Sequence, residues 1–330
     1  MKIDRAMAQL LEVGLGLLEP LAGDRTWLCA LRGRALVDGG EHERAILYLH
    51  TRLDHHPDAP WLHFHAGRAA QAKGLAGQAR HRFAHAAALD PEEPTFRFAL
   101  GHALRQEGHL DAAAREFEIA LQAVPGDPRI LFHLGVVERE RGRSEAAQKC
   151  FEAVVARWPR DVGAWYTLGV CAYEQRDLYR SRRALERALS LDRKHHKAWY
   201  QSALIHLEEQ EVAAGRTALR TALRLQPSYA PAHYALARTF LEEDPNRARH
   251  HLREALLGHP PVLRAHLDLG RLYEQAGQWE KARSEYLLFR RHFPEKRPDW
   301  IAGRLSAIDA MLATTGRPPP VPPEAFEVPG

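Results

Sequence analysis

The chain has 330 residues, of which 45% are hydrophobic and 27% are charged, a composition typical of folded proteins and unlike that of disordered chains. Its 46 Lys and Arg residues exceed its 42 Asp and Glu residues by only four, which is too small an excess to indicate by itself wrapping of nucleic acid or docking on an anionic membrane. No apolar run reaches the roughly 18 residues of a membrane span, and Glu12 interrupts the only apolar stretch near the start, so we predict no signal peptide.

The three cysteines, Cys29, Cys150 and Cys171, are too few and too scattered for a disulfide framework, and none belongs to a CxxC motif. We interpret them as inert thiols of the core. Their scarcity favours a reducing, cytoplasmic location for a soluble protein. Arginine supplies 39 of the 46 basic residues, which favours a GC-rich, bacterial coding sequence.

A period of 34 residues runs along the chain, and such a period indicates stacked repeats. Five glycines keep this spacing, two alanines continue it, and a glycine closes it one residue early. A second small residue follows each of them by twelve positions, from Ala45 to Ala282 in six steps of 34 and one of 33. The first series is Gly33, Gly67, Gly101, Gly135, Gly169, Ala203, Ala237 and Gly270.

Each repeat is predicted to be two helices joined by a tight turn. Between the two small residues most repeats have another glycine, where a helix can end in the left-handed conformation that glycine adopts freely. The apolar residues Trp165, Leu168 and Ala172 are three and four positions apart, which is helical spacing, and no period-2 run of β-branched residues occurs. The predicted fold class is all-α. The turn glycines are Gly40, Gly74, Gly108, Gly142 and Gly277.

The motif W-x2-L-G at residues 165–169, the motif A-x3-F-x2-A at residues 113–120 and Pro125 resemble the tetratricopeptide repeat (TPR). The resemblance implies a right-handed superhelical solenoid whose first helices line a concave groove and whose second helices form the convex back. It also implies a scaffold for protein interactions. Ala203 and Gly215 exchange the usual small residues, and this exchange predicts looser packing around Gly215.

Four segments are predicted. Residues 1–25 form an N-terminal capping helix and residues 26–297 form about eight TPR units. Residues 298–315 form a C-terminal capping helix, with Trp300, Leu305, Ile308, Met311 and Leu312 on one stripe to bury the last unit. Residues 316–330 form a Pro-rich flexible tail, whose acidic and apolar end could dock in the groove or simply remain an ordinary chain end.

No motif for catalysis is present: there is no Gly-rich phosphate loop, GxSxG elbow or HExxH pair. We therefore predict no enzymatic activity and no cofactor. His81 and His85 have the i, i+4 spacing of a metal chelate, but the sequence fixes no third ligand beside them. We interpret them as polar surface and predict no metal site.

The candidate binding residues lie on the first helices, which should face the groove. Six aromatic residues recur in phase, and they either pack on the next helix, as is common in this family, or contact a ligand. One turn further on, a second series is basic at both ends and apolar in the middle, a pattern that packing explains less easily. The aromatic series is Phe64, Phe98, Phe132, Tyr166, Tyr200 and Tyr234. The second series is Arg34, Arg68, His102, Val136, Val170, Leu204, Arg238 and Arg271.

The predicted function is a non-catalytic scaffold or adaptor that holds a peptide or helix of a protein partner in the groove. With Arg105 and Arg129 added, the arginines suit a partner segment with carboxylates at its ends and an apolar centre. His65, His102 and His133 should add positive charge there near pH 6. Two alternatives are an RNA-binding solenoid, which the small net charge disfavours, and an assembly factor for a cell-envelope or secretion machine.

Overall fold

The structure is a computed structural model that describes residues 12–15, 26–293 and 299–314. Over these ranges the regular secondary structure is helical and contains no strand, so the predicted all-α repeat fold is confirmed. The chain divides into two compact units, residues 1–177 (unit 1) and residues 178–330 (unit 2). None of the described helices is long and apolar enough to cross a membrane.

The described helices follow the 34-residue period, so that odd-numbered helices α1 to α15 are the first helices of the repeats and even-numbered helices are the second. In unit 1 they are α1 Thr26–Asp38, α2 His42–His55, α3 Pro60–Ala72, α4 Ala76–Leu89, α5 Pro94–Gln106, α6 Leu110–Ala123, α7 Pro128–Glu140, α8 Ser144–Arg157 and α9 Val162–Glu174. In unit 2 they are α10 Leu178–Leu191, α11 His196–Glu208, α12 Val212–Leu225, α13 Ala230–Arg238, α14 Pro245–Leu257, α15 Ala265–Gln275, α16 Trp279–His292 and α17 Asp299–Thr314.

The two helices of a repeat meet where a glycine of the first helix faces a large side chain sixteen residues later. A Cβ atom added at Gly67 would lie 2.6 Å from the Phe83 ring, and one added at Gly101 would lie 2.8 Å from the Phe117 ring. Phe83 and Phe117 are themselves buried. At these positions the glycines therefore allow an approach so close that an added side chain would overlap the ring. The same contact joins Gly33 to Leu49, Gly135 to Phe151 and Gly270 to Tyr286.

The turns between paired helices need a residue with positive φ. The predicted turn glycines all have it, with φ from 71° at Gly277 to 82° at Gly108. In the two repeats that follow Gly142, Arg176 and Gln210 occupy the same position, each with φ of 63°. A side chain in this conformation is strained, so the turn geometry of the repeat overrides local preference there.

Ion pairs join successive repeats in a recurring pattern. Arg80 on α4 pairs with Glu107, which lies in the turn of the next repeat 27 residues later. The same separation relates Arg182 to Glu209, and Arg216 to Glu243, in unit 2. In these three places an ion pair joins one repeat to the next and helps to fix the register between them.

The described parts of the two predicted caps contact the repeats beside them. Residues 12–15 are helical, and the carboxylate of Glu12 lies 3.2 Å from Arg32 on α1. Helix α17 buries Ile301, Leu305 and Ile308, whereas Leu312 of the predicted stripe is 39% exposed. The predicted tail, residues 316–330, lies outside the described residues.

The expectation of looser packing around Gly215 is wrong. A Cβ atom added at Gly215 would lie 2.8 Å from the Leu207 side chain, and Ala203 and Leu219 are fully buried. Leu207 fills the volume that the exchanged small residues leave, so the close approach of α11 and α12 is kept with a different partner.

Replacing Gly67 by Ala tests the close approach. We expect Gly67→Ala to destabilise unit 1 by about 1–3 kcal/mol, because the added methyl group overlaps the Phe83 ring. Gly77→Ala on α4 is the matched control, since its added Cβ meets no atom within 4 Å and alanine favours the helix. Urea unfolding followed by circular dichroism measures both, and an equal effect of the two variants would contradict the packing argument.

Candidate partner-binding site

A cavity of about 930 Å³ opens on the first helices of unit 1, between α1 and α3. Trp27 is 55% exposed, Trp61 is 42% exposed and Leu31 is 39% exposed at its wall. Three large apolar side chains that remain exposed around one concavity mark it as a site for a ligand or partner. A second cavity of about 410 Å³ shares Trp27 and Trp61.

The walls of this cavity come from equivalent positions of two successive repeats. Each pair of lining residues is 34 apart, and Thr95 on α5 continues the tryptophan series into the third repeat. Phe64, Arg34 and Arg68 are among the predicted binding residues, whereas the two tryptophans are not. The in-phase spacing of Trp27 and Trp61 was the available signal. The four pairs are Trp27 with Trp61, Ala30 with Phe64, Leu31 with His65, and Arg34 with Arg68.

The polar part of the cavity is a carboxylate between two guanidinium groups. Arg68 donates to Asp38 Oδ1 from Nη2 at 2.7 Å, and Arg34 donates to Asp38 Oδ2 from Nε at 3.4 Å. Asp38 neutralises one of the two charges, so the trio keeps one net positive charge. The Arg34 side chain is 48% exposed, which leaves its remaining N–H groups accessible to an acceptor.

The three phenylalanines of the aromatic series are half-buried. The Phe64 ring lies 5.8 Å from Phe83, and Phe132 lies 5.5 Å from Phe151. Phe98 lies 5.7 Å from Phe117 and also lines a small cavity of about 100 Å³ with Arg129. One edge of each ring therefore packs in its own repeat, and only Phe64 also faces the large cavity.

The three tyrosines of the series are half-buried as well. Burial raises the pKa of Tyr166. Tyr200 lies edge-on to Tyr229 at 5.4 Å. Burial and the neighbouring Asp268, which shares a hydrogen bond with it, raise the pKa of Tyr234. Tyr166 belongs to unit 1, and Tyr200 and Tyr234 belong to unit 2.

Most of the other candidate arginines are ion-paired within the chain. Arg105 donates from Nε to both carboxylate oxygens of Glu140, at 3.1 and 3.0 Å. Arg129 pairs with Asp127 at 2.8 Å, and Arg271 lies 3.7 Å from Asp268. Arg238 is exposed and has no ion pair among the described residues. These contacts give Arg105, Arg129 and Arg271 a structural role whether or not they also meet a partner.

The expectation that three histidines gain charge near pH 6 is wrong. Burial, with help from Arg68 and Arg34, lowers the pKa of His65 to about 3. Burial lowers the pKa of His133 to about 4, and burial followed by the charge of Arg105 lowers the pKa of His102. His65 and His133 are therefore neutral at pH 6, and the cavity gains no charge from His65, which lines it.

Within the described residues, one group of histidine and carboxylate side chains is close enough together to hold a metal ion. The structure brings His63 against His85, with stacked rings 5.2 Å apart, but the ligand atoms that converge within 4.8 Å are those of His206, Glu209 and Glu211. Glu209 pairs with Arg182, and His206 Nδ1 lies 2.6 Å from Glu211, so ion pairs account for that cluster.

Cys150 and Cys171 are poor nucleophiles. Burial raises the pKa of both Cys150 and Cys171 to about 11, which keeps their thiols protonated at neutral pH. Cys29 is buried.

The buried histidine beside the cavity makes unit 1 sensitive to acid. His65 stays neutral when folded down to about pH 3, whereas its unfolded form takes up a proton below about pH 6.5. The contribution of His65 to the free energy of unfolding is therefore fully present above pH 6.5 and is lost as the pH falls. The loss is roughly 2 kcal/mol between pH 7 and pH 5. We expect His65→Gln to remove this part of the pH dependence in urea unfolding.

The control for this prediction is His50→Gln, since the His50 side chain is 63% exposed. We expect its unfolding midpoint to follow the pH in the same way as the wild-type protein. A wild-type stability that does not fall between pH 7 and pH 5 would contradict the assignment of His65.

Comparison with known proteins agrees with the repeat architecture. The Tetratricopeptide repeat family matches residues 64–128, 132–194 and 172–230 with one of its sequence profiles and residues 239–300 with another. A search of curated proteins finds no match to this sequence.

Several solved structures share the fold. A tetratricopeptide repeat protein from Parabacteroides merdae has 15% identity and a TM-score of 0.61, covering 75% of this chain and 97% of its own. The APC/C hetero-tetramer Cut9-Hcn1 has 22% identity and a TM-score of 0.59 over 77% of this chain. The match covers 50% of the length of the chain in the Cut9-Hcn1 structure. PilF of Pseudomonas aeruginosa has 20% identity and a TM-score of 0.54, and the match covers 62% of this chain and 93% of PilF.

The 34-residue helix pairs, the glycine contacts that close them and the profile matches over most of the chain lead to one conclusion. The protein belongs to the tetratricopeptide repeat family.

Proposed function

We propose that the protein is a non-catalytic adaptor that binds a segment of a partner protein in the cavity between α1 and α3. Repeats of this family are generally modules for protein interaction. The observation that supports this site is the group of exposed Trp27, Leu31 and Trp61 around one concavity. Exposed tryptophans at the centre of a concave surface are typical anchors of protein interfaces.

The chemistry of the cavity defines the segment that it would accept. Trp27 and Trp61 offer apolar surface to one or two large aliphatic or aromatic side chains. The exposed guanidinium group of Arg34 is placed to bind a carboxylate, and the Arg34, Asp38 and Arg68 trio keeps a net positive charge. We therefore propose a partner peptide or helix with an apolar residue next to an acidic one.

The remaining residues of the two predicted series extend this proposal as secondary contacts. Phe98 and Arg129 share the wall of a smaller cavity in unit 1. In unit 2, Arg238 is exposed close enough to Tyr234 to influence its pKa. A partner that reaches these positions would gain further apolar and charged contacts.

Peptides selected against the protein test the site. We expect peptides selected from a displayed random library to combine an apolar with an acidic residue. We expect Trp61→Ala to weaken the best of them by about tenfold or more, because the truncation removes an anchor side chain. Fluorescence anisotropy of the labelled peptide gives the dissociation constants.

The matched control is Trp158→Ala, since Trp158 is also 42% exposed but lines none of the described cavities. Its dissociation constant should equal that of the wild-type protein. Arg34→Glu should weaken acidic peptides and leave circular dichroism unchanged. Equal losses in the two tryptophan variants, or selected peptides without acidic residues, would contradict the proposed site.

A further inference from the structure

The small net charge of the chain hides an uneven distribution over the second helices. In unit 2, helices α10, α12, α14 and α16 together carry fourteen Lys and Arg residues and four Asp and Glu residues. In unit 1, helices α2, α4, α6 and α8 carry seven of each. The second helices of unit 2 therefore form a basic surface, which the overall balance of charge conceals.

The second helices of unit 2 occupy equivalent positions in the stack. Helix α12 packs on α11 and α13, and α14 packs on α13 and α15. Their apolar faces are used in these contacts, because Leu219 and Leu252 are fully buried. The exposed arginines of these helices therefore lie outside the buried apolar contacts with the first helices.

Some basic residues of this surface form ion pairs or hydrogen bonds with neighbouring elements, but others form no ion pair among the described residues. Arg216 contacts Thr239 and pairs with Glu243, and Arg283 pairs with Asp309 on α17. Seven exposed arginines form no ion pair with any residue that the structure describes, although Arg183 lies against the Tyr179 ring and Arg253 donates to the Tyr273 hydroxyl. The other five are Arg187, Arg220, Arg224, Arg290 and Arg291.

Stability of the helices does not account for this arrangement. Arg183 and Arg187 on α10, and Arg220 and Arg224 on α12, are like charges at i, i+4, which destabilise a helix. Of these four, only Arg224 lies in a last turn, where a cation is favourable. A cost to folding on neighbouring helices points to a ligand that provides the missing negative charge.

An aromatic side chain continues the basic surface on α10. Tyr179 is 69% exposed, and the Arg183 guanidinium lies 5.8 Å from the centre of its ring. Tyr179, Arg183 and Arg187 are spaced by four residues, so they share one face of the helix. An exposed ring in line with arginines is typical of surfaces on which bases stack while phosphates are bound beside them.

From these contacts we infer that the second helices of unit 2 bind a single-stranded nucleic acid through its phosphates, without reading its sequence. The basic residues of the four helices are arginines with the exception of Lys281. Arginine binds phosphate with a planar fork and stacks on bases, and phosphate neutralisation releases counterions.

An anionic membrane is the weaker alternative for this surface. A helix that binds at a membrane interface exposes an apolar face beside its basic one. Leu185 on α10 and Leu219 on α12 are no more than 1% exposed, and the exposed aliphatic side chains Val212, Leu257 and Leu288 lie singly on three different helices. The basic surface therefore fits a hydrated polyanion better than a lipid surface.

The test uses the full-length protein and a fluorescein-labelled oligouridylate of about 30 nucleotides, which exceeds the site size of one binding module. We expect anisotropy to show binding that weakens as salt rises from about 50 to 200 mM, with a log–log slope near −3 for about four phosphates. The triple variant Arg187→Glu, Arg220→Glu, Arg224→Glu should bind at least tenfold more weakly, with a shallower slope.

The control changes the net charge by the same amount on the second helices of unit 1. The triple variant Arg115→Glu, Lys149→Glu, Arg157→Glu alters exposed residues there. It should retain the affinity of the wild-type protein. Trp61→Ala should also retain it, because that cavity belongs to the proposed protein partner. Circular dichroism confirms that all the variants are folded.

Three results would overturn the inference. One is the absence of oligouridylate binding at the lowest salt. Another is an equal loss of affinity in both triple variants, because binding would then follow net charge alone. The third is binding to vesicles of phosphatidylcholine and phosphatidylserine without binding to oligouridylate, which would assign the surface to a membrane.

Discussion

The contact between a glycine of the first helix and a ring or branched side chain of the second is the constraint on which the repeat depends. Where Gly67 meets Phe83 there is no room for a single methyl group. The helices can approach this closely only if the large side chain is supplied by one helix and the space by the other. Because the second helix provides the bulk, the outward face of the first helix is free to vary. The exposed tryptophans of the cavity lie on that face.

Arginine has two uses in this protein, and the contacts separate them. One set links neighbouring repeats, as Arg80 does with Glu107 and Arg68 does with Asp38. These pairs are partly buried, and they fix the register between repeats. Their carboxylates neutralise guanidinium charge that would otherwise be available to a ligand. The other set, which includes Arg187 and Arg220, projects from the second helices of unit 2 without carboxylate partners among the described residues. The division gives the two units different electrostatic surfaces on a shared architecture.

Histidine shows how strongly position in the stack decides chemistry. His63 and His233 stand in the place that tryptophan holds at Trp165, and each interacts through Nε2 with a proline carbonyl six residues earlier, at 2.7 and 2.8 Å. Trp165 donates to the equivalent carbonyl at 3.0 Å. Such histidines act as small aromatic residues with one N–H group. The number of histidines in the sequence therefore does not by itself indicate metal binding or a response to pH. The burial of each histidine in its repeat determines whether it can bind a metal or take up a proton.

The sequence by itself determined the period, the helix pairs, the turn glycines and the family, because each depends on spacing along the chain. It also identified Phe64, Arg34 and Arg68 as residues of one surface. Only the tertiary structure decided which arginines are neutralised, because the partners of Arg105 and Arg68 lie 35 and 30 residues away. It alone showed that His65 is buried and that Leu207 fills the space beside Gly215. Burial and ion pairing depend on distances between repeats, and a linear pattern records only the distance along the chain.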